Sequence, residues 1–182
     1  MRKGRRSPIV IFTIVAILII STIVLMIFNS QHTEERKRRQ DDAFFLVRAN
    51  GATYTVDRTL LAEIGESPFA ANKKSDGKPA AAVAYHGVPL MKLYEKLKID
   101  LSNVTGCIAS AADGYHATVS IKQILDGENV FIASGQDGRD LAKKDDGGDG
   151  PFMLVVVKDP FSQNWCKYLS ELEFVMKQGD LK

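Results

Sequence analysis

The sequence predicts an α+β fold, a mixed sheet with short helices, which follows one N-terminal transmembrane helix. Two observations carry this prediction. Residues 8–28 form an apolar run of about twenty residues, the length that spans a bilayer as a helix, and the rest of the chain mixes many short β-rich segments with a few short helical ones. We therefore divide the chain into a basic N-terminal tail (1–7), a transmembrane anchor (8–28), a charged stalk (29–42) and one domain (43–182).

The apolar run is interpreted as an uncleaved anchor. No charged residue lies between Arg6 and Glu34. A cleavable signal peptide is the alternative, but the run is longer than the usual apolar region of such peptides and no small-residue cleavage site follows it. Basic residues lie on both sides of the run, and those at 36–39 begin further from its edge. This asymmetry predicts a single-pass protein of the cell membrane with its C-terminal domain outside the cytoplasm.

The charge of the domain gives no support for nucleic-acid binding. The whole chain carries a net charge of +2, but the excess of Lys and Arg lies in its first 42 residues, and the domain is close to −2. It has no basic stripe of the kind that contacts phosphates. Cys107 and Cys166 lie far apart and outside any zinc-binding spacing, so we expect two buried thiols, while a disulfide between them stays open.

The first half of the domain is predicted to open with a hairpin. Two β-rich segments flank Asn50-Gly51, which is the strongest short hairpin signal. A short helix follows Asp57 as its N-cap and ends at Gly65. Residues 66–79 are polar and predict a loop or a poorly patterned strand with a turn.

A strand is predicted over 80–85 and a turn over 87–89, followed by an amphipathic helix. The apolar positions of that helix fall at i, i+3, i+4 and i+7, a spacing that places them on one face. These positions are Leu90, Leu93, Tyr94 and Leu97.

The second half of the domain is predicted to contain strands and one capped helix. Strands over 104–110 and 115–120 flank the turn Asp113-Gly114, and Ser120 caps a short helix. A strand over 130–133, a long loop over 135–150, an apolar strand over 152–157 and a mixed strand signal over 164–174 complete the pattern.

The residues that commonly carry chemistry are scattered. The loop over 135–150 holds five aspartates, but it does not match an EF-hand, and Lys143 and Lys144 would repel a cation, so we interpret it as a solvated loop. His32, His86 and His116 have no partner at a ligand spacing. No nucleophile elbow, phosphate-binding loop or zinc-protease motif is present, which gives no support for hydrolase or nucleotide-binding functions.

Four segments, in order, carry a resemblance to a known family. They are residues 85–90 (Tyr-His-Gly-Val-Pro-Leu), residues 110–115 (Ser-Ala-Ala-Asp-Gly-Tyr), Gly150-Pro151 ahead of an apolar strand, and residues 164–173 (Asn-Trp-Cys-Lys-Tyr-Leu-Ser-Glu-Leu-Glu). Together they look like the molybdopterin-binding domain of the sulfite oxidase family, over about residues 44–174. The resemblance implies a sulfite-oxidase-type fold in which a pyranopterin lies in a cleft and a cysteine thiolate binds molybdenum.

This chain departs from the family pattern at two places. The family cysteine lies ahead of the Gly-Val-Pro-Leu segment, where residues 69–85 contain none, and an arginine common after Gly-Pro is replaced by Phe152 and Met153. A thiolate is the soft ligand that holds the metal, and an arginine pairs with an anionic phosphate. We therefore expect no bound molybdenum, although the resemblance itself implies molybdopterin as the cofactor.

The sequence predicts a ligand-binding or partner-binding module without molybdenum catalysis. A molybdopterin-dependent oxidoreductase, or an accessory subunit of an extracytoplasmic redox system, is the alternative. The predicted partners are the membrane, through the N-terminal helix, and a small-molecule ligand or a membrane redox partner. The candidate cofactor-binding residues are Tyr85, His86, Asp113 and Tyr115, because they flank two family-like turns. His86 and Tyr115 are expected to lie near one another.

Overall fold

A computed structural model describes residues 8–74, 79–160, 162 and 164–177, without the side chains of residues 8–11, 28 and 32. The predicted tail at 1–7, residues 75–78 of the polar stretch with its predicted turn, the side chain of His32 and the end of the predicted domain at 178–182 lie outside the described part. The chain forms two compact units, Met1–Lys37 and Arg38–Lys182.

The N-terminal helix α1 (Pro8–Asp41) joins the predicted anchor and stalk in one continuous helix. Its described apolar side chains, from Phe12 to Ile27, are exposed. By length and composition it is able to cross a membrane, and its most apolar 18-residue stretch has a mean hydropathy of 2.6. A signal sequence has the same properties.

The described part of the second unit contains ten strands, three further α-helices and one 3₁₀ turn. In chain order they are β1 (Phe44–Ala49), β2 (Ala52–Asp57), α2 (Arg58–Ile64), β3 (Ser67–Lys73), β4 (Ala81–Pro89), α3 (Leu90–Leu97), β5 (Val104–Ala111), β6 (His116–Ser120), α4 (Ile121–Leu125), β7 (Val130–Gln136), β8 (Arg139–Asp140), the 3₁₀ turn (Lys144–Asp146), β9 (Met153–Val156) and β10 (Leu169–Met176). The predicted α+β class is confirmed.

The strands form two sheets. Sheet A has the order β2-β1-β10-β5-β6, and sheet B has the order β3-β4-β7-β8, with β9 also paired to β7. Sheet A is mixed because β1 and β10 run parallel, whereas its other pairs are antiparallel. Every pair in sheet B is antiparallel.

One hydrophobic core joins residues from both sheets. Phe45 of β1 meets Phe152 with their ring centroids 5.2 Å apart, in an edge-to-face contact. All four residues of β9 are buried, as the continuous apolar run predicts for a strand covered on both faces. The core therefore fixes the two sheets relative to each other.

Most local predictions are confirmed by the caps and turns. Asn50 and Gly51 both have positive φ, as the hairpin between β1 and β2 requires. Asp57 caps α2, Gly65 ends it, and Ser120 caps α4 in a reciprocal pair with the side chain of Gln123. Of the two readings for residues 66–79, a strand is observed, namely β3.

Two local predictions are wrong. Residues 87–89 continue β4 instead of turning, because Gly87 approaches β7 so closely that a Cβ atom there would lie 2.1 Å from the carbonyl oxygen of Ile132. Residues 135–150 are not one long loop, since Asp137 and Gly138 adopt positive φ and form a tight hairpin between β7 and β8. The Asp-Gly pair was the signal for that hairpin in the sequence.

Candidate functional site

A cleft of about 450 Å³ lies where the end of β3, the β5–β6 turn and the segment before β10 meet. We call it the lysine–aromatic cleft. Its lining residues are Lys73, Lys74, Asp113, Tyr115, Ser162, Trp165, Lys167 and Tyr168. Its volume falls in the range of small-molecule sites, which is roughly 300–1,000 Å³.

Asp149 fixes two lysines that come from distant segments of the chain. Its carboxylate contacts Lys73 Nζ, and its Oδ1 atom lies 2.9 Å from Lys167 Nζ. Burial alone would raise the pKa of Asp149, but the hydrogen bonds from both lysines outweigh that effect and lower the pKa below its usual value. The carboxylate is therefore ionised and holds both ammonium groups at the edge of the cleft.

A second cation–carboxylate pair lies at the turn between β5 and β6. Lys144 Nζ is 3.5 Å from Asp113 Oδ2 and lies 5.0 Å from the centre of the Tyr168 ring. The loop that was predicted to be solvated thus contributes Lys144 and Asp149 to the surroundings of the cleft. Asp145 and Asp146 of that loop are exposed, in agreement with the prediction.

Aromatic rings form the other walls of the cleft. Trp165 is almost fully buried and its indole N–H donates to the carbonyl oxygen of Val156, so its ring is held in place. Tyr115 is 47% exposed. Behind Trp165, the ring of Tyr85 makes an edge-to-face contact with a centroid distance of 5.9 Å.

The Tyr85 hydroxyl is buried and has no hydrogen-bond partner within the described part of the chain. Burial raises its pKa, and the nearby carboxylates of Asp149 and Asp137 raise it further. Tyr85 therefore stays a neutral phenol. An unsatisfied buried hydroxyl costs free energy.

Backbone hydrogen bonds set the position of the cleft. Tyr168 N donates to Asp149 O, and Ala112 N donates to Tyr168 O, so the segment before β10 joins the loop of sheet B to the turn of sheet A. Gly148 and Gly150 permit this packing, because a Cβ atom at either would lie within 2.5 Å of residues 141–142. The local sequence thus brings the loop close enough for Asp149 to reach both lysines.

A second, more polar cavity of about 560 Å³ adjoins the cleft and shares Lys73 with it. Its lining also includes Asp149, Arg139 and Asp140. Arg58 lies 3.2 Å from Asp140 and donates a hydrogen bond to the carbonyl oxygen of Ser134. This ion pair and this hydrogen bond hold the wall of the cavity at Asp140 in place. The ion pair between Lys73 and Asp149 lies at the boundary of the two cavities.

The four residues predicted from sequence have different positions. Asp113 and Tyr115 line the cleft, and Tyr85 lies behind its tryptophan wall. His86 is half-buried on β4 with its ring packed over Gly135, and it does not line the cleft. The proximity of His86 and Tyr115 stays a prediction.

Sequence reasoning missed Lys73, Lys167 and Trp165 as lining residues. Trp165 and Lys167 belong to a family-like segment, which was a usable signal. Lys73 lies in the polar stretch 66–79, and nothing in the local sequence shows that it lies beside residues far along the chain.

The residues present do not fit thiolate-bound molybdenum. The chain has two cysteines, and both are buried free thiols that do not line the cleft. Burial raises the pKa of each thiol to about 12, whereas metal ligation needs the thiolate. Across the described residues, no group of three or more His, Cys, Asp or Glu side chains could hold a metal ion.

Comparisons with known proteins identify a family and a solved structure to which the chain is similar. Residues 62–180 match the family described as the oxidoreductase molybdopterin binding domain. The fold is similar to that of the sulfane dehydrogenase SoxCD from Paracoccus pantotrophus, with a TM-score of 0.60 and 16% identity. The match covers 74% of this chain and 38% of the SoxCD chain. No curated protein sequence matches this chain.

Proposed function

The chain belongs to the oxidoreductase molybdopterin-binding domain family, and from that premise we propose that it is a membrane-anchored, extracytoplasmic module that binds a small ligand without molybdenum catalysis. The lysine–aromatic cleft carries this proposal. It combines fixed cations with aromatic walls, which are features of a ligand site, and neither of the two cysteines of the chain lines it.

The lack of a thiolate in the cleft argues against the family's metal chemistry. Without that soft ligand, a molybdenum centre would lose the donor that fixes its geometry and tunes its reactivity. The lysines remain able to attract an anionic organic group. A fold can persist after its chemistry is lost, and binding is the function that these residues support best.

The membrane location rests on α1. Its apolar length fits a bilayer, and the basic residues nearest the apolar run lie on its N-terminal side. Protease added to intact cells should remove the domain and leave a protected N-terminal fragment. Full protection of the domain would contradict this orientation, and release of the whole domain without protease would indicate a cleaved signal.

Catalysis with molybdopterin is the second candidate function. The match over residues 62–180 favours it, since the family is described by that cofactor. The chain spans only about two-fifths of the length of the SoxCD chain. In this proposal the domain would be an accessory subunit or one part of an extracytoplasmic redox system.

Elemental analysis distinguishes the two functions. The full chain is produced in a host supplied with molybdate, purified in detergent, and measured for molybdenum and for released pterin. A metal content close to zero is expected for the binding module. About one molybdenum per chain would overturn that proposal and favour the oxidoreductase. A known molybdoenzyme made in the same host serves as the control for cofactor supply.

A further inference from the structure

We propose that the free edge of β3, residues 68–72, binds the same edge of a second copy of this chain, so that two domains join through an antiparallel pair of β3 strands. Strand β3 lies at the edge of sheet B, where it pairs with β4 alone among the described strands. The basis of the proposal is the set of hydrogen-bond donors and acceptors that this edge presents, because that set is complementary to itself.

Alternate residues of β3 direct their backbone groups away from β4. Ala70 is paired with Ala84 of β4, whose carbonyl oxygen accepts a hydrogen bond from Asp137 N, just after β7 and on the opposite side of β4. The Ala70–Ala84 pair therefore exchanges no hydrogen bonds, and the N–H and C=O groups of Ala70 point to the free edge. Asn72 follows the same alternation, since its carbonyl oxygen accepts from the hydroxyl of Ser162, which lies outside the sheet.

The free edge presents two donors and two acceptors. They are the N–H and C=O groups of Ala70, the N–H group of Asn72 and the C=O group of Pro68, and none of them has a hydrogen-bond partner within the described part of the chain. Pro68 has no N–H group, and the carbonyl oxygen of Asn72 is already bonded to Ser162. The three strand residues are exposed, so a second strand can reach them.

Two copies of this edge satisfy each other about a two-fold axis at Ala70. In such an antiparallel pair the two Ala70 residues exchange both of their hydrogen bonds, and Asn72 N–H of each copy donates to Pro68 C=O of the other. The N–H group that Pro68 lacks would have faced the Asn72 carbonyl oxygen, which Ser162 already occupies. Four hydrogen bonds therefore form, and the pairing leaves no donor without an acceptor.

The side chains along this edge permit a second copy to approach. Exposed edge strands are commonly protected from pairing by charged side chains. Lys73 is the only charged residue of β3, and its ammonium group is held in the ion pair beside the lysine–aromatic cleft. The residues of β4 that lie beside Ala70 and Asn72 are exposed alanines. The surface next to the free edge is therefore small and uncharged.

The contact is short. It ends at Asn72, because the Ser162 hydroxyl accepts from Lys74 N and covers the edge beyond that point. Stable dimers usually bury roughly 1,200–2,000 Å², so five residues of each strand need the high local concentration that two copies have when both are held in one membrane. That anchoring belongs to the proposed function, and the protease experiment tests it separately.

Cysteine substitution in the full-length chain tests the register. Ala70→Cys would place two thiols opposite each other, with Cα atoms about 5.5 Å apart, a separation that a disulfide can bridge. Asn72→Cys is the matched control on the same exposed edge, because its two Cα atoms would be about 15 Å apart in the same dimer. Both native cysteines are buried, so they contribute little background.

Membranes from cells that produce each variant are treated with copper phenanthroline in air and analysed by gel electrophoresis without reductant. We expect Ala70→Cys to give a band of twice the chain mass, at a yield at least about fivefold above that of Asn72→Cys. Mass spectrometry should identify this chain as the sole component of the band. Equal yields from the two variants, no cross-linked band, or a cross-link of Ala70→Cys to a different protein would overturn the inference.

A second measurement covers the geometry on both sides of the axis. Pro68→Cys and Asn72→Cys chains produced together should cross-link to each other, because these positions face one another, although neither variant cross-links alone. Adding Ala70→Lys to both chains places like charges directly opposite and should lower that yield about threefold or more. An unchanged Tm of the Ala70→Lys variant confirms that the domain still folds, and an unchanged yield would contradict the proposed pairing.

Discussion

Replacement of Asp149 by asparagine should destabilise the domain, since it removes the charge that holds Lys73 and Lys167 together. Both the carboxylate and Lys73 are mostly buried, with side chains 16% and 22% exposed, whereas Lys167 is 45% exposed. A hydrogen bond to a charged group contributes about 1.5–3 kcal/mol when buried, and a surface ion pair contributes about 0.2–1 kcal/mol. The asparagine oxygen still accepts one hydrogen bond, so the expected loss is about 1–3 kcal/mol.

The assay is thermal unfolding of the domain produced from Arg38 onward, followed by circular dichroism. For a domain of this size the expected loss corresponds to a decrease in Tm of roughly 3–10 °C. Asp145→Asn is the matched control, because it makes the same substitution at an exposed position of the same loop and should change Tm very little.

The effect of Asp149→Asn should also depend on pH. The folded state lowers the pKa of Asp149, so the ionised carboxylate stabilises the fold. This contribution is complete above the unfolded-state pKa of about 4 and is lost as the pH falls through the lower pKa of the folded state. The Tm difference between wild type and variant should therefore shrink in acid. A variant as stable as the wild type at neutral pH, or a difference that does not change with pH, would refute the reasoning.

Three further predictions follow from packing. Gly135→Ala should destabilise the domain by about 1–3 kcal/mol, because the new Cβ atom would lie 1.7 Å from the His86 ring. Adding His86→Ala should restore most of that stability, as measured by a double-mutant cycle of urea unfolding. Cys107 and Cys166 should resist iodoacetamide in the native protein at neutral pH and react in urea, as read by mass spectrometry; rapid native labelling would contradict their burial. The last turn of α1 makes a largely buried ion pair and a hydrogen bond with β10. A fragment that begins at Ala43 lacks that turn, so its free energy of unfolding in urea should be about 1–3 kcal/mol lower than that of a fragment that retains it. Equal midpoints of urea unfolding for the two fragments would contradict this.

Turns and helix caps could be predicted from the sequence because a few neighbouring residues determine them. Asn50-Gly51 requires only its own backbone preference to form a hairpin, and Ser120 needs only the next three residues to cap α4. The extension of β4 through Gly87 could not be predicted in this way. It depends on the close approach of another strand, which a single sequence does not show.

The cleft was predictable only in part, since its residues come from distant segments. Asp113 and Tyr115 were found because they belong to one turn of the family-like pattern. The contacts of Lys73 and Lys167 with one carboxylate depend on the packing of three separate segments. The charges of these residues and their spacing along the chain do not show that the three segments contact one another.

The position of β10 in sheet A has a consequence for how the domain folds. Leu169–Met176 is the last strand of the described chain, yet it lies at the centre of the sheet, between β1 and β5. The hairpin at the start of the domain is therefore not joined to β5 and β6 until more than a hundred later residues have been synthesised. Contacts of such long sequence separation form slowly, and the unpaired edges of β1 and β5 stay exposed in the meantime. The domain should thus acquire its native sheet only after β10 has been made, and loss of β10 would split sheet A into two separate hairpins.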